Sequence, residues 1–337
     1  MSGVDFLIGS EKVINVPLPA CSDEALAFVS GLSAHLMKLQ EARIYPDIAA
    51  LAFWGRRAGL ERMKQNCPES AQRLGRGLCF HVAPGNIPVN FAFTFLFGVL
   101  AGCANIVRLP ARDFPQTSVL LKAIKDVLTD FPEIARRTAF VRYPANNDIT
   151  AEFSRIADAR MIWGGDRTIA SIRSLPTPPR CVDLCFADRY SLCILDGNAV
   201  LEAGDEKIKR LAEGFYNDTY LMDQNACSSP QLILWLNDSK AARNCFWEAV
   251  RITAEKKYPL QAAVCVDKYV HACRDAIEQT GAHLTRQTNL LYRVELAALD
   301  DSVEQCRGRG GYFYEYSLDN SGELCAVVTD KYQTVTY

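Results

Sequence analysis

Apolar positions along the chain follow two periods. Residues 23–40 and 46–65 carry them at helical spacing, which predicts two amphipathic helices, the second opening on Pro46, a residue suited to a first helical position. From residue 76 the pattern changes. Residues 77–83 form a short apolar run that ends at Pro84-Gly85, a helix-like run reaches Leu100, and 105–109 reads as a strand. The alternation continues with a helix over 115–130, a strand over 138–143, a helix over 148–157, a strand over 160–163, a helical turn over 168–174, and strands over 181–186 and 191–195. A second region starts near Gly204. It has a helix over 206–220, a polar segment around 222–230, a strand over 231–236, and helices near 239–256 and 267–280. Val327-Val328 and 334–337 read as strand material.

Strands alternating with helices at this spacing imply βαβ units and an open, mostly parallel α/β sheet. Such sheets bind ligands at the carboxyl ends of their strands. A length of 337 residues suits two domains. The longest apolar stretch, 87–107, contains no charge, but Gly102 and Asn105 punctuate it. It reads as a buried helix followed by a buried strand, not as a membrane span. Phe91, Phe93, Phe95 and Phe97 alternate by two, so on a helix they spread around it and read as core.

Composition narrows the function. The net charge is −2 and no Lys/Arg-rich block appears, which argues against a nucleic-acid partner. The first 30 residues show no secretory pattern. The 13 cysteines are odd in number, and Cys79, Cys103, Cys185, Cys193 and Cys265 sit inside apolar segments, as small core residues do in a reducing cytosol. The expected location is cytoplasmic. There is no C-x-x-C and there are only four histidines, so a metal site is not indicated.

No G-x-G-x-x-G, P-loop, H-E-x-x-H or G-x-S-x-G pattern is present. Two other segments carry the candidate chemistry. In Pro84-Gly85-Asn86-Ile87-Pro88, two prolines stiffen a turn between a strand and a helix. Asn86 there is either a helix cap or a fixed amide that donates to an oxyanion. In Gln224-Asn225-Ala226-Cys227-Ser228-Ser229-Pro230, a cysteine stands among small polar residues. It is either one more packed thiol or a presented nucleophile with room for a carbonyl beside it.

Together these two segments resemble the aldehyde dehydrogenase superfamily, and more closely its acyl-CoA reductase branch, the LuxC-type fatty-acid reductases of bacterial bioluminescence. Pro84–Pro88 is similar to the P-x-N-x-P motif, whose Asn lines the oxyanion hole, and Gln224–Pro230 to the branch's catalytic cysteine motif. Ala159-Arg160-Met161-Ile162-Trp163-Gly164-Gly165 is similar to the strand and turn that approach the cofactor. The segments 313–316 and 333–337 resemble later parts of the branch. The resemblance implies an aldehyde dehydrogenase-like fold. Residues 1–203 would hold the N-terminal helices and the nicotinamide-binding sheet, 204–310 the cysteine domain, and 311–337 a return segment, with the family's C-terminal part missing. It implies that Cys227 and Asn86 are catalytic, and that Pro84, Gly85, Arg108, Arg112, Trp163, Gly164 and Gly165 bind the cofactor. The reaction implied is reduction of an acyl thioester to a fatty aldehyde, with acyl-CoA or an acylated carrier or synthetase as partner. A full-length chain would be a homo-oligomer.

Two departures refine this. Aldehyde-oxidising members carry a Glu, in E-L-G-G-K, that activates the deacylating water, and matching that motif here puts Cys185 in its place. A thioester reductase needs no such base. Where the superfamily has Lys-Pro-[Ser/Ala]-Glu, this chain has Arg108-Leu109-Pro110-Ala111-Arg112. Two guanidiniums suit a 2′-phosphate, so NADPH is expected over NADH. An aldehyde dehydrogenase working oxidatively, and a truncated paralogue that only binds acyl groups or a partner, are the alternatives.

Overall fold

The computed structural model describes residues 3–337 except 68, 70, 71 and 112. Arg112 is therefore outside the described residues. The chain divides into two compact units at Asp188/Arg189, ahead of the boundary expected after residue 203. The strand opening at Tyr190 pairs within the second sheet, which is why the division falls earlier.

In the first unit the elements run β1 (Asp5–Ile8), α1 (Asp23–Lys38), α2 (Gln40–Arg43), α3 (Pro46–Trp54), α4 (Arg57–Gln65), β2 (Leu78–Val82), α5 (Asn90–Leu100), β3 (Ala104–Arg108), α6 (Pro115–Leu128), α7 (Pro132–Ala135), β4 (Thr138–Arg142), α8 (Asn147–Ile156), β5 (Ala159–Gly164), α9 (Asp166–Arg173) and β6 (Val182–Ala187). The sheet order is β1-β4-β3-β2-β5-β6, with β1 antiparallel to β4 and the other neighbours parallel. Every residue of β2 is buried, as the apolar run of a central parallel strand requires. Val107 and Phe140 face α1, α3, α5 and α6, whereas Phe80, Ile106 and Val141 face α8 and α9, so a core lies on each side of the sheet.

The 87–107 stretch is the buried helix α5 followed by β3, as expected, and no helix among the described residues is long and apolar enough to cross a membrane. Phe91 and Phe95 are core, while Phe93 and Phe97 pack against Trp54 on the outer side of α5. The expected 46–65 helix is broken. Gly55 ends α3 where the chain passes against α1; a Cβ there would lie 3.2 Å from the Ser33 Cβ and 3.4 Å from the Val29 oxygen. That close approach selects glycine, and the backbone turns extended at Arg56 before α4.

The second unit contains β7 (Tyr190–Asp196), α10 (Gly197–Glu202), α11 (Gly204–Asp218), a 3₁₀ turn (Tyr220–Met222), β8 (Leu232–Leu236), α12 (Lys240–Lys257), α13 (Ala262–Glu278), β9 (His283–Gln287), β10 (Leu291–Glu295), β11 (Tyr312–Ser317) and β12 (Tyr332–Thr336). Its sheet order is β12-β7-β8-β11-β10-β9, parallel except for β9. The segment from residue 311 supplies β11 and β12 to this same sheet. Val327-Val328 is not a strand: Asn320 and Glu323 form a capping box that starts a 3₁₀ turn over Ser321–Ala326. Of the cysteines expected in the core, Cys79 and Cys193 are buried, but Cys185 is exposed because β6 is an edge strand.

Candidate active site

The strand order in the first unit reverses between β2 and β5. From β2 the chain goes to β3 and β4 on one side, then crosses to β5 and β6 on the other. Such a switch point opens a crevice at the carboxyl ends of the strands. Val82 pairs with Ile162, so the turn after β2 and the end of β5 stand side by side. Pro84, Gly85, Asn86, Trp163, Gly164 and Gly165 thus gather on one edge, with Arg108 at the end of β3 beside them.

Asn86 is exposed, and the N-cap of α5 is Val89 with no side-chain cap bond. It does not cap the helix. Below the turn, His81, fully buried on β2, ties that strand to α5 and β3. Asn105 Nδ2 donates to the Cys103 carbonyl at 2.8 Å, which turns Asn105 Oδ1 toward His81. His81 Nε2–H donates to that oxygen at 3.0 Å, and Nδ1 accepts the Thr94 hydroxyl at 2.9 Å. Burial pushes the imidazole down to about 4, so it is neutral at physiological pH. Gly98 makes room for this contact, since a Cβ there would lie 1.9 Å from Asn105 Oδ1.

The rest of the edge has features of an anion site. Nothing lies within 4 Å of a Cβ placed on Gly165, which is the N-cap of α9. Arg108 lies over the Tyr143 ring at 4.6 Å, and its buried Nε has no hydrogen-bond partner among the described residues. Trp163 stacks on Phe186 at 4.0 Å, and its buried Nε1 is likewise unpartnered. Arg142, at the end of β4, has a third such atom in Nε and donates from Nη2 to Asp113 at 3.2 Å. Sequence reading missed Arg142 because strand pairing, not spacing, puts it beside β3.

Cys227 belongs to the second unit. Its loop precedes β8 and stands at the amino ends of β7, β8 and β11, the opposite edge from the one the parallel-sheet rule indicates. Cys227 is exposed, so it is not a packed thiol. Two successive residues before it, Asp223 (φ 51°) and Gln224 (φ 60°), adopt left-handed backbone, which costs free energy outside glycine. Tertiary contacts hold them there. Gln224 is 2% exposed. Its Oε1 accepts from the backbone N–H of Gly311 and Tyr312, both at 3.3 Å, and its Nε2 donates to the Tyr312 carbonyl at 2.9 Å. Gln231 Nε2 donates to the Gln224 carbonyl at 3.1 Å, and Gly308 N–H donates to Gln231 Oε1 at 2.8 Å. The Asp223 carbonyl accepts from Gly310 N–H at 3.1 Å, and Tyr258 OH donates to the Asp223 carboxylate at 2.5 Å. The loop carrying the thiol is thus stitched to the turn before β11. The sequence signal for this brace was a glutamine directly before an all-apolar strand.

Comparison with known proteins places this geometry. The Acyl-CoA reductase (LuxC) family model matches residues 20–268. A long-chain acyl-protein thioester reductase of Aliivibrio fischeri is 28% identical over 167 residues, covering 49% of this chain and 33% of that protein. One from Vibrio harveyi is 31% identical over 166 residues, 48% of this chain and 33% of its own length. The chain matches about a third of the length of these relatives. Among solved structures, an oxidoreductase from Marinobacter aquaeolei aligns with TM-score 0.64 at 12% identity, covering 94% of this chain and 72% of that one. An NAD-dependent benzaldehyde dehydrogenase from Corynebacterium glutamicum aligns with TM-score 0.61 at 12% identity, covering 90% and 73%. These two share the fold, an aldehyde dehydrogenase-like α/β architecture. Matched by its model over most of its length, the chain belongs to the LuxC family of acyl-CoA reductases.

Proposed function

We propose that the protein reduces an acyl thioester to an aldehyde through an acyl group carried on Cys227. The observation that carries this reading is an exposed thiol on a strained turn held by buried side chains, within a member of the acyl-CoA reductase family. The Cys227 thiolate attacks the thioester carbonyl, and a C–S bond forms. The Cys227 N–H meets the oxyanion, and Asn86 keeps the oxyanion role that the resemblance of Pro84–Pro88 to the P-x-N-x-P motif gives it. The oxyanion then collapses, and the donor thiolate leaves. Cys227 then departs as thiolate when the acyl carbon takes up a hydride, the chemistry that a reduced nicotinamide would supply if bound in the first unit. The donor is acyl-CoA or an acylated protein, the latter in keeping with the names of the curated relatives.

The first unit suits such a cofactor. It offers a switch-point crevice, open space at Gly165, and buried nitrogens on Arg108 and Trp163 that have no partner among the described residues. Pro84, Gly85, Trp163, Gly164 and Gly165 would hold it, and Arg108 with Arg112 would favour the 2′-phosphate of NADPH. Cys185 on β6 supplies no carboxylate to activate water, which favours reduction over aldehyde oxidation.

The test is intact-protein mass after incubation with hexadecanoyl-CoA, for wild type and Cys227→Ala, followed by NADPH. The expected result is a gain of one acyl group that requires Cys227 and disappears with NADPH. A gain that survives NADPH refutes the reduction step. No gain in folded protein refutes Cys227 as nucleophile for this donor.

A further inference from the structure

If Cys227 is the nucleophile, on which this inference rests, acyl transfer depends on how the peptide groups beside it are aimed. Both are fixed by hydrogen bonds within the second unit. The Ala226 carbonyl accepts from Ser229 N–H at 3.0 Å, and Ser229 is itself tied by its hydroxyl to the Asp218 carbonyl at 2.6 Å. The Cys227 carbonyl accepts the Ser191 hydroxyl at 2.7 Å. Ser191 lies on β7 and is 1% exposed, and its own carbonyl accepts from Gln231 N–H at 2.9 Å. The strand, the serine and the segment after the cysteine therefore form one closed set of bonds.

The peptide unit is planar and trans, so its oxygen and its N–H point in opposite directions. Tying the Cys227 oxygen to β7 turns the Ser228 N–H away from β7. Tying the Ala226 oxygen to Ser229 likewise sets the direction of the Cys227 N–H. Among the described residues neither of these N–H groups donates to another protein group. A donor on the carbonyl also polarises the peptide and strengthens its N–H. We propose that Ser191 is a positioning residue for acyl transfer: through the Cys227 carbonyl it aims the Ser228 N–H, in the peptide that follows the thiol, at the developing oxyanion. The sequence motif does not contain it, because it lies 36 residues before Cys227.

A hydroxyl that served only to satisfy itself would affect stability alone. The experiment separates the two roles by comparing two reactions of one thiol. Acylation by hexadecanoyl-CoA passes through an oxyanion. Alkylation by iodoacetamide is a direct displacement and does not. Both are followed at Cys227 by peptide mass in the full chain, for wild type, Ser191→Ala and Ser191→Thr. Expected for Ser191→Ala is acylation about tenfold slower at saturating donor, equivalent to about 1.4 kcal/mol, with alkylation unchanged. Ser191→Thr, which keeps the hydroxyl, restores the rate. Should Ser191→Ala not fold, Ser191→Cys, with a weaker donor of similar size, takes its place under the same expectations. Unchanged acylation in the variant overturns the proposal. So does an equal fall in both reactions, which means the loop has merely loosened. Failure of wild type itself to acylate at Cys227 overturns the parent reading, and needs no Ser191 variant to be seen.

Discussion

Acidification puts the floor of the first unit's crevice under direct strain, because His81 takes up a proton where it lies far less readily than in the open chain. Its Nε2–H already donates to Asn105 and its Nδ1 already accepts from Thr94, and the ring is fully buried. The imidazole titrates at about 4 in the fold against 6.5 in the open chain. A folded pKa depressed for a base means that the unfolded chain binds the proton first. Stability is therefore full above about pH 6.5, falls as pH drops toward 4, and stops falling below that. The gap of about 2.5 pH units, at 1.36 kcal/mol each, gives a limiting loss of about 3 kcal/mol, and about 2.5 kcal/mol at pH 4.5. Carboxylates elsewhere also titrate there, so the quantity to measure is a difference. Urea unfolding is followed by tryptophan fluorescence at pH 7 and 4.5 for wild type and for His81→Gln, which keeps a donor toward Asn105 but cannot become charged. Wild type is expected to lose about 2.5 kcal/mol more than the variant between the two pH values. Equal losses would refute the reasoning. They would mean that His81 is protonated in place, or that the proton is accommodated by rearrangement around Thr94.

Three further outcomes follow from the same geometry. Gly165→Ala meets no protein atom within 4 Å and has ordinary φ (−70°), so its thermal midpoint should be unchanged; NADPH affinity, by fluorescence titration, should fall about tenfold or more if the cofactor lies against that face. Arg108→Ala removes a guanidinium whose buried Nε has no partner among the described residues, and should weaken NADPH by roughly tenfold while leaving NADH nearly unaffected; equal losses for both would remove the 2′-phosphate assignment. Gln224→Leu leaves the Gly311 and Tyr312 groups unpaired in a buried setting, which should cost about 2–4 kcal/mol in chemical unfolding and slow Cys227 acylation; a loss below about 1 kcal/mol would mean the brace is not what holds the left-handed turn.

What the sequence determined by itself was local. The helical spacing of 115–130 and 206–220 and the apolar runs of β2, β3 and β8 stand where their periods put them, because each depends on residues within a few positions of one another. The Pro84–Pro88 turn and the polar setting of Cys227 were legible for the same reason. Tertiary structure decided whatever depended on distant partners. β1, β9 and β10 were not apparent, being short strands defined by pairing rather than by pattern. Contact with α1 split the 46–65 helix at Gly55. Residue type alone left Asn86 open between a helix cap and a fixed amide, and the fold puts Val89 at the cap position. Most of the candidate site's support, His81 with Asn105, Gln224 with Tyr312, and Ser191 with Cys227, joins residues far apart in sequence. No periodicity can encode such bonds, because a buried polar group finds its partner through the fold of the sheet and not through its neighbours along the chain.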